Sequence, residues 1–152
     1  MSTDVPPVRL SWDDIVDLGK QLASAVNASG FQPDAIVGIA IGGLVPATLL
    51  ARALHVKDVT TITSRSYNEK DEQGELQISH VPRDLEGKRV LLVDEIADSG
   101  KTLGAVAAIL REKTGLKDLK TAVLVTNTKN CTLPADFSVM NVDRWVDFPW
   151  DA

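Results

Sequence analysis

The chain has 152 residues, of which 44% are apolar and 24% are charged, and its formal net charge is −5. This composition is that of a globular protein long enough to bury a core, and it excludes a largely disordered chain. The negative charge, without a run of Lys and Arg to offset it, argues against a general nucleic-acid or membrane surface, so we expect neither partner.

The start of the chain and its cysteine content favour a cytoplasmic location. No apolar run approaches the ~20 residues of a membrane span, and residues 1–7 lack the charged and apolar regions of a signal peptide. Cys131 is the single cysteine, so no internal disulfide can form. We expect one cytoplasmic domain over residues 1–152, in which local amides and a metal ion would hold any anionic substrate against the overall charge.

The first predicted helix follows a polar lead over residues 1–9, which we expect to be extended. Ser11 and Asp14 stand three residues apart at the start of the helix, a spacing close to a capping box. Ser29 and Gly30 end it. Between these ends, apolar side chains recur at helical spacing and form one face, which consists of Ile15, Leu18, Leu22 and Ala25.

A buried strand and a second helix are predicted next, joined by paired glycines. Residues 35–41 are a near-continuous apolar run, which is typical of a strand covered on both faces. Gly42 and Gly43 break the run, and residues 44–54 follow as a helix that tolerates Pro46 in its first turn. In such a geometry, backbone amides can approach a phosphate.

A long polar stretch follows the next strand. Residues 59–63 are all β-branched and predict a strand, whereas residues 64–82 are rich in Asn, Glu, Lys, Asp, Gln and Gly. A connector of this length and polarity is usually a lid over a site or a disordered insert, and both interpretations stay open at this point.

The most informative segment lies in the second half of the chain. An apolar strand over residues 89–93 leads into Asp94 and Glu95, which places negative charge where open α/β sheets form their ligand crevice. The turn over residues 98–102 then offers consecutive backbone N–H groups and two hydroxyls at the start of an apolar helix. Acids beside such an anion cradle suit a sugar phosphate.

The same turn invites comparison with a nucleotide-triphosphate loop, because Gly100, Lys101 and Thr102 look like the end of that motif. The motif requires a glycine five residues before Gly100, and Glu95 stands there. We therefore reject a triphosphate loop.

The remaining predicted elements complete an α/β pattern. Residues 101–113 predict a helix and residues 121–125 a strand. Strands that alternate with helices imply a mostly parallel twisted sheet with helices on both faces. We expect the tail, about residues 127–152, to form a small aromatic hood, whose large side chains are Trp145, Phe148 and Trp150.

The order of apolar strand, Asp-Glu, two residues and Asp-Ser-Gly-Lys-Thr resembles the phosphoribosyl pyrophosphate (PRPP) binding motif of the type I phosphoribosyltransferases. Nearly the whole chain is similar to the short 6-oxopurine phosphoribosyltransferases of bacteria and archaea, which act on xanthine, guanine or hypoxanthine. Residues 39–52 look like their pyrophosphate loop and its helix, and Ser66 with Tyr67 looks like the start of their mobile catalytic lid. Lys129 and Trp145 look like their base-recognition elements.

The resemblance implies a Mg²⁺-dependent purine salvage enzyme that forms a 6-oxopurine nucleotide and pyrophosphate from PRPP and the free base. Asp94 and Glu95 would accept hydrogen bonds from the ribose hydroxyls, and would contact the metal only through those hydroxyls or water. Asp98 would face N7 of the purine and share its proton. The 5′-phosphate would bind to Asp98, Ser99, Gly100, Lys101 and Thr102, and pyrophosphate would bind to Ile41, Gly42 and Gly43.

The resemblance also implies how the base is chosen. Lys129 has hydrogen-bond donors only, so it would favour the O6 carbonyl of hypoxanthine, guanine or xanthine and reject adenine. Trp145 would stack on the purine, and the carbonyl of Val146 would accept from N1–H or the guanine 2-amino group. Asp147 would either attract that amine or stay solvated, and the preferred oxopurine stays open. The family's habit implies a homo-oligomer, either a dimer or a tetramer.

Two positions depart from the family's usual pattern. Ile41 stands where a basic residue is common, so pyrophosphate would depend on backbone amides and Mg²⁺. Glu95 stands where aspartate is usual, and its side chain is longer by one methylene. The first departure keeps a second hypothesis open, a regulatory protein that binds PRPP or a nucleotide without turnover. A transferase for another base, such as a pyrimidine, is the third hypothesis.

Overall fold

A computed structural model describes residues 5–66 and 76–152, with Ser66 described by its backbone only. Two sheets and three α-helices account for most of these residues. The elements in chain order are β1 (Val8–Arg9), α1 (Trp12–Ser29), β2 (Ala35–Ala40), α2 (Leu44–Leu54), β3 (Asp58–Ser66), β4 (Leu76–Ser79), β5 (Arg89–Ala97), α3 (Lys101–Lys113), β6 (Asp118–Asn127), β7 (Phe137–Val142), β8 (Val146–Asp147) and a 3₁₀ helix (Pro149–Asp151).

The main sheet has six strands in the order β4-β3-β2-β5-β6-β7, and each pairing is parallel except that of β3 with the edge strand β4. The expected mostly parallel α/β sheet is therefore confirmed. The short strands β1 and β8 form a separate parallel pair. Because β2 and β5 are neighbours, with Gly38 opposite Val93, their carboxyl ends open side by side at one edge of the sheet.

Helices cover both faces of the main sheet, as expected. The α1 helix begins with a complete capping box, in which Asp14 N donates to Ser11 Oγ at 3.1 Å and Ser11 N donates to Asp14 Oδ2 at 2.8 Å. The apolar sides of α1 and α2 pack on one face, and α3 packs on the other. Within residues 5–66 and 76–152, no helix combines the length and apolar character that a bilayer crossing requires.

The strands β3, β5 and β6 are longer than the apolar runs that predicted them, whereas β2 ends at Ala40 and leaves Ile41 in the following turn. The β5 strand continues through Asp94 and Glu95 to Ala97, and β6 continues to Asn127. Hydrophobicity marks only the part of a parallel strand that is covered by helices, so the polar carboxyl ends were assigned to loops. These ends are the part of the sheet that faces the site.

The polar stretch over residues 64–82 is partly sheet, which corrects its interpretation as a disordered insert throughout, while its role as a lid stays a prediction. The β3 strand continues to Ser66, and β4 pairs antiparallel with it, with Ser64 opposite Ile78. In β4, Leu76 and Ile78 alternate with two exposed polar residues, a pattern too short to predict a strand within a polar stretch. Tyr67, the other lid residue expected from the sequence, lies outside the described residues.

The aromatic tail is also divided between two structures. Residues 137–142 form β7, the edge strand of the main sheet, rather than part of a separate hood. The hood that remains consists of residues 145–151, which include β8 and the 3₁₀ helix. The N-terminal strand β1 holds the hood through its pairing with Val146 and Asp147. The rings of Phe148 and Trp150 stack within it, with centroids 4.9 Å apart and planes at 8°.

Candidate active site

Two adjacent cavities open at the carboxyl edge of the main sheet. The sugar-side cavity, of about 300 Å³, lies between the loop that follows β2, the end of β5 and the turn before α3. The hood-side cavity, of about 280 Å³, lies between the end of β5 and the hood. Glu95, Ile96 and Asp98 line both cavities and form their common wall. A ligand bound in one cavity would therefore lie next to a ligand bound in the other.

The acidic pair on β5 is held in surroundings that disfavour its charge. Asp94 is 9% exposed, and its Oδ1 accepts a hydrogen bond from the backbone N of Glu95 at 2.9 Å. Burial raises the pKa of Asp94 well above its usual value, and the charge of Glu95 adds to the effect. Burial also raises the pKa of Glu95, against the opposing effect of hydrogen bonds to Asp94 and Trp150. A ligand that brings hydroxyl donors or positive charge would offset the free-energy cost of burying the two carboxylate charges.

We expect Asp94→Asn to stabilise the ligand-free protein at neutral pH. Since the folded-state pKa of Asp94 lies above its unfolded value, the folded state binds more protons, and stability falls as pH rises from the unfolded to the folded pKa. Asparagine keeps the shape and the acceptor while removing the charge. Thermal unfolding should show a higher midpoint for the variant, by about 2–4 °C per kcal/mol.

The difference in midpoint between Asp94→Asn and wild type should shrink as the pH is lowered below the ordinary pKa of an aspartate. The wild-type side chain is then neutral in the folded and in the unfolded state. Asp17→Asn, which removes a charge from the exposed side of α1, is the matched control and should leave the midpoint nearly unchanged. A midpoint for Asp94→Asn that is lower than wild type at every pH would contradict the prediction.

The loop after β2 lies directly against β5. Gly43 N donates to the carbonyl of Ile39 at 2.8 Å, and a Cβ at Gly43 would collide with the carbonyl of Val93. A Cβ at Gly42 would occupy the position of the Glu95 carboxylate. Gly43 is thus required by its close approach to the backbone, whereas the missing side chain at Gly42 leaves room for the Glu95 carboxylate in the position observed.

Ile41 has a different environment. Its side chain is 80% exposed and lines the sugar-side cavity together with Gly42, whereas Gly43 is buried and does not line it. The Ala40–Ile41 peptide bond is cis. An apolar side chain at this position offers no charge to an anion, so the loop contributes backbone groups only.

The turn before α3 presents backbone amides to the sugar-side cavity. Gly100 caps the helix with φ +88°, and a Cβ there would collide with the carbonyl of Leu133. Ser99 Oγ accepts a hydrogen bond from Lys101 N at 3.1 Å. Ser99, Gly100 and Thr102 line the cavity, while Lys101 is exposed and does not. Helix N-termini of this kind bind phosphates through their unpaired N–H groups.

Asp98 lies where the two cavities meet. Its Oδ1 accepts hydrogen bonds from Asn127 Nδ2 at 3.0 Å and from Asn130 Nδ2 at 3.1 Å. Asn127 is 6% exposed at the end of β6, the strand next to β5. Both donors bind the same oxygen, so the carboxylate is oriented with Oδ2 directed to other partners. The sequence analysis missed both asparagines, although polar residues near the carboxyl end of a neighbouring parallel strand are a signal for this site.

The hood supplies a largely apolar wall to the hood-side cavity. Trp145, Val146 and Phe148 line it, and Trp145 is 72% exposed. The indole Nε1 of Trp145 donates to Asp147 Oδ1 at 2.9 Å, which fixes the ring. Asp147 itself lines neither cavity and lies 3.7 Å from Arg9 Nε. An exposed, hydrogen-bonded indole beside apolar side chains suits a flat aromatic ligand.

The basic residues around the hood-side cavity differ from the sequence expectation. Lys129 is exposed in the turn after β6, and its side chain is not part of the cavity wall among the described residues. Arg144 does line the cavity and pairs with Asp143 at 2.9 Å. That ion pair, and less strongly the charge of Lys129, lowers the pKa of Asp143. Sequence reasoning did not single out Arg144.

The donors at the end of β5 fit a Mg²⁺ ion that is bound mainly by substrate. Asp94 and Glu95 provide hard oxygen atoms on the cavity wall. Within residues 5–66 and 76–152, no group of three or more His, Cys, Asp or Glu side chains forms an all-protein metal site. Mg²⁺ commonly keeps several waters when it binds carboxylates and substrate phosphates, and those waters or ribose hydroxyls would link the ion to this pair.

Comparisons with known proteins agree with this geometry. Residues 11–152 match the sequence model of the phosphoribosyl transferase domain. The chain is 32% identical over 149 residues to a xanthine-guanine phosphoribosyltransferase of Cereibacter sphaeroides, covering 93% of this chain and 85% of that protein. A purine phosphoribosyltransferase structure from Pyrococcus horikoshii superimposes with a TM-score of 0.83 and 30% identity, over 96% of this chain and 94% of that one. A xanthine-guanine-hypoxanthine phosphoribosyltransferase structure from Helicobacter pylori superimposes with a TM-score of 0.85 and 28% identity, over 97% of this chain and 95% of that one. This chain belongs to the phosphoribosyltransferase family.

Proposed function

We propose that this protein is a purine salvage enzyme that transfers the phosphoribosyl group of PRPP to a 6-oxopurine base and releases pyrophosphate. The observation that carries the proposal is the pair of cavities that share Glu95, Ile96 and Asp98. One is lined by acids and backbone amides and suits a sugar phosphate. The other is lined by the hood and suits a purine. The named activities of the similar proteins support this assignment.

In the reaction, the bond from C1′ of the ribose to pyrophosphate breaks and a bond from C1′ to a ring nitrogen of the base forms. Positive charge develops on the ribose in the transition state. Asp94 and Glu95 would accept hydrogen bonds from the 2′ and 3′ hydroxyls and place negative charge beside the ribose. Asp94 is 9% exposed, and a charge with little water around it interacts more strongly with a nearby positive charge.

The two phosphate ends of PRPP would bind on opposite sides of the acidic pair. Ser99, Gly100 and Thr102 line the cavity at the N-terminus of α3 and would hold the 5′-phosphate, with Lys101 adding charge from outside. The loop of Ile41, Gly42 and Gly43 would contact pyrophosphate through its backbone. A bound Mg²⁺ would neutralise the charge of the leaving pyrophosphate, and Asp94 and Glu95 would hold it through ribose hydroxyls or water.

Asp98 would accept the purine proton as the base attacks. Asn127 and Asn130 bind its Oδ1, so Oδ2 remains to face N7 of a base in the hood-side cavity. The base would stack on Trp145, the Val146 carbonyl would accept from its N1–H or 2-amino group, and Asp147 would act by fixing the indole. Lys129 would reach O6 when a base is bound.

The direct test is an assay of the purified protein with PRPP and Mg²⁺ and with hypoxanthine, guanine, xanthine or adenine in turn, followed by separation of the nucleotides. We expect products from one or more of the 6-oxopurines and little or none from adenine. Absence of a nucleotide from all three oxopurines would refute the proposal.

We expect Lys129→Ala to raise the KM for the oxopurine about tenfold or more, because a hydrogen bond from a charged donor contributes about 1.5–3 kcal/mol. The KM for PRPP should change little. Lys113→Ala, which removes an exposed lysine at the end of α3, is the matched control and should behave as wild type. Unchanged oxopurine kinetics in Lys129→Ala would remove Lys129 from base recognition and direct attention to Arg144.

The exposed Ile41 favours one alternative, a regulatory protein that binds PRPP or a nucleotide without turnover. Without a basic side chain in this loop, pyrophosphate has fewer partners than in the family's usual pattern. Tight binding of PRPP in titration calorimetry, combined with absence of product, would favour it. A single domain, a cytoplasmic location and assembly into a dimer or tetramer stay predictions, the last of which sedimentation analysis can check.

A further inference from the structure

Trp150 connects the hood to the acidic pair. Its indole Nε1 donates to Glu95 Oε2 at 3.4 Å. The ring is held on two sides, by stacking on Phe148 at 4.9 Å and by a tilted contact with Trp12 at 5.9 Å and 57°. Among the described residues, Trp150 is not part of the wall of either cavity. It therefore touches the site through Glu95 and through Phe148, which lines the hood-side cavity.

The Glu95 carboxylate lies where three parts of the site converge. It lines both cavities, and it fills the space that a Cβ at Gly42 would need. The charge of Asp151, which also lines the hood-side cavity, repels it and favours its movement away from this position. A long, flexible carboxylate in such surroundings needs a donor to fix its rotamer, and the indole N–H supplies one.

We propose that Trp150 is a positioning residue, whose indole N–H holds the Glu95 carboxylate against Gly42 in the wall between the two cavities and thereby sets the affinity for PRPP. The identity of the ligand rests on the proposed function. The aromatic hood would then serve both substrates, the base through Trp145 and the sugar phosphate through Trp150. The Glu95 side chain is long enough to accept from the Trp150 indole. An aspartate, the usual residue in the family, is shorter by one methylene and would lie farther from that donor.

The test is Trp150→Phe, which keeps an aromatic ring next to Phe148 and removes the N–H. We expect the Kd of PRPP in the presence of Mg²⁺ and the KM for PRPP to rise about fivefold to tenfold, as for loss of a long hydrogen bond to a carboxylate. The KM for the oxopurine should change less than twofold. The matched control is Trp12→Phe, which removes an indole from the same aromatic cluster without removing a donor to Glu95, and it should bind PRPP as wild type does.

A second measurement does not require Trp150→Phe to fold. The indole ¹H–¹⁵N resonances of Trp12, Trp145 and Trp150 can be assigned from the Trp12→Phe and Trp145→Phe variants. Glu95→Gln should move the Trp150 resonance and leave that of Trp12 in place. Addition of PRPP with Mg²⁺ should also move the Trp150 resonance, because the ligand rearranges the carboxylate to which it donates.

The outcomes separate this inference from the proposed function. Wild-type protein that binds PRPP without forming a nucleotide would refute the transferase, while the calorimetric comparison of Trp150→Phe with Trp12→Phe would still decide the role of Trp150. Equal PRPP affinity in these two variants, or a Trp150 resonance insensitive to Glu95→Gln, would overturn the inference. Absence of PRPP binding in the wild type would overturn both.

Discussion

Replacing Asp98 with asparagine should lower kcat by about 10²–10⁴-fold, the usual contribution of a positioned general base. The amide has nearly the shape of the carboxylate, and its oxygen can still accept from Asn127 and Asn130. The NH₂ group of the asparagine replaces Oδ2 of Asp98, and this group donates hydrogen bonds and cannot take the N7 proton. The fold and the binding of PRPP should be preserved, since Asp98 is exposed and its neighbours in the turn bind phosphate through backbone groups.

Steady-state kinetics of Asp98→Asn with each substrate varied will show whether the loss lies in kcat, and calorimetry will report PRPP binding separately. Asp17→Asn on the exposed side of α1 controls for the change in net charge. A decrease of less than about tenfold, below the usual range for general base catalysis, would mean that the proton leaves by another route. A loss confined to the KM for PRPP would make Asp98 a phosphate-binding residue instead.

Gly42→Ala should lower kcat/KM for PRPP about 100-fold with little change in stability. The new Cβ would overlap the Glu95 carboxylate, which is the far end of a flexible side chain and can swing away at small cost to folding. Its departure removes a negative charge from beside the ribose, and displacements of about 1 Å in an active site can cost 10²-fold in rate. Thermal unfolding and kinetics on the same preparation separate the two effects.

Two further substitutions make the Gly42 experiment specific. Gly104→Ala in α3 has room for its Cβ, with Leu133 Cδ1 at 3.4 Å, and should keep full activity while gaining helix propensity. Adding Glu95→Asp to Gly42→Ala shortens the displaced side chain and should restore part of the activity. Equal activity of Gly42→Ala and wild type would show that Glu95 does not act from the observed position.

The sequence predicted the helices better than the strands. The bounds of α2 and α3 agree with the expected residues 44–54 and 101–113, because paired glycines and apolar periodicity mark them locally. The β4 and β7 strands were missed, since both are short, lie at sheet edges and are partly exposed. Edge strands owe their existence to pairing partners that are distant in sequence, and local patterns do not carry that information.

The candidate site shows the same division. Asp94, Glu95 and Asp98 were found because they lie together at the carboxyl end of one strand, and the structure brings them to one wall. Asn127 and Trp150 were not assigned any role toward them, since they contact Asp98 and Glu95 across 29 and 55 positions of the chain. Contacts of that span depend on the order of strands and on the course of the tail, which composition and periodicity do not determine.

The parallel pairing of β1 with β8 has a practical consequence. Val8 and Arg9 pair with Val146 and Asp147, so β1 supports the part of the hood-side cavity wall that β8 contributes. Neither Val8 nor Arg9 lines that cavity, yet a substitution that breaks their pairing would displace Val146 and change how the proposed base site fits its ligand. A changed base preference in such a variant should therefore be read as an effect on the hood rather than on the acidic pair.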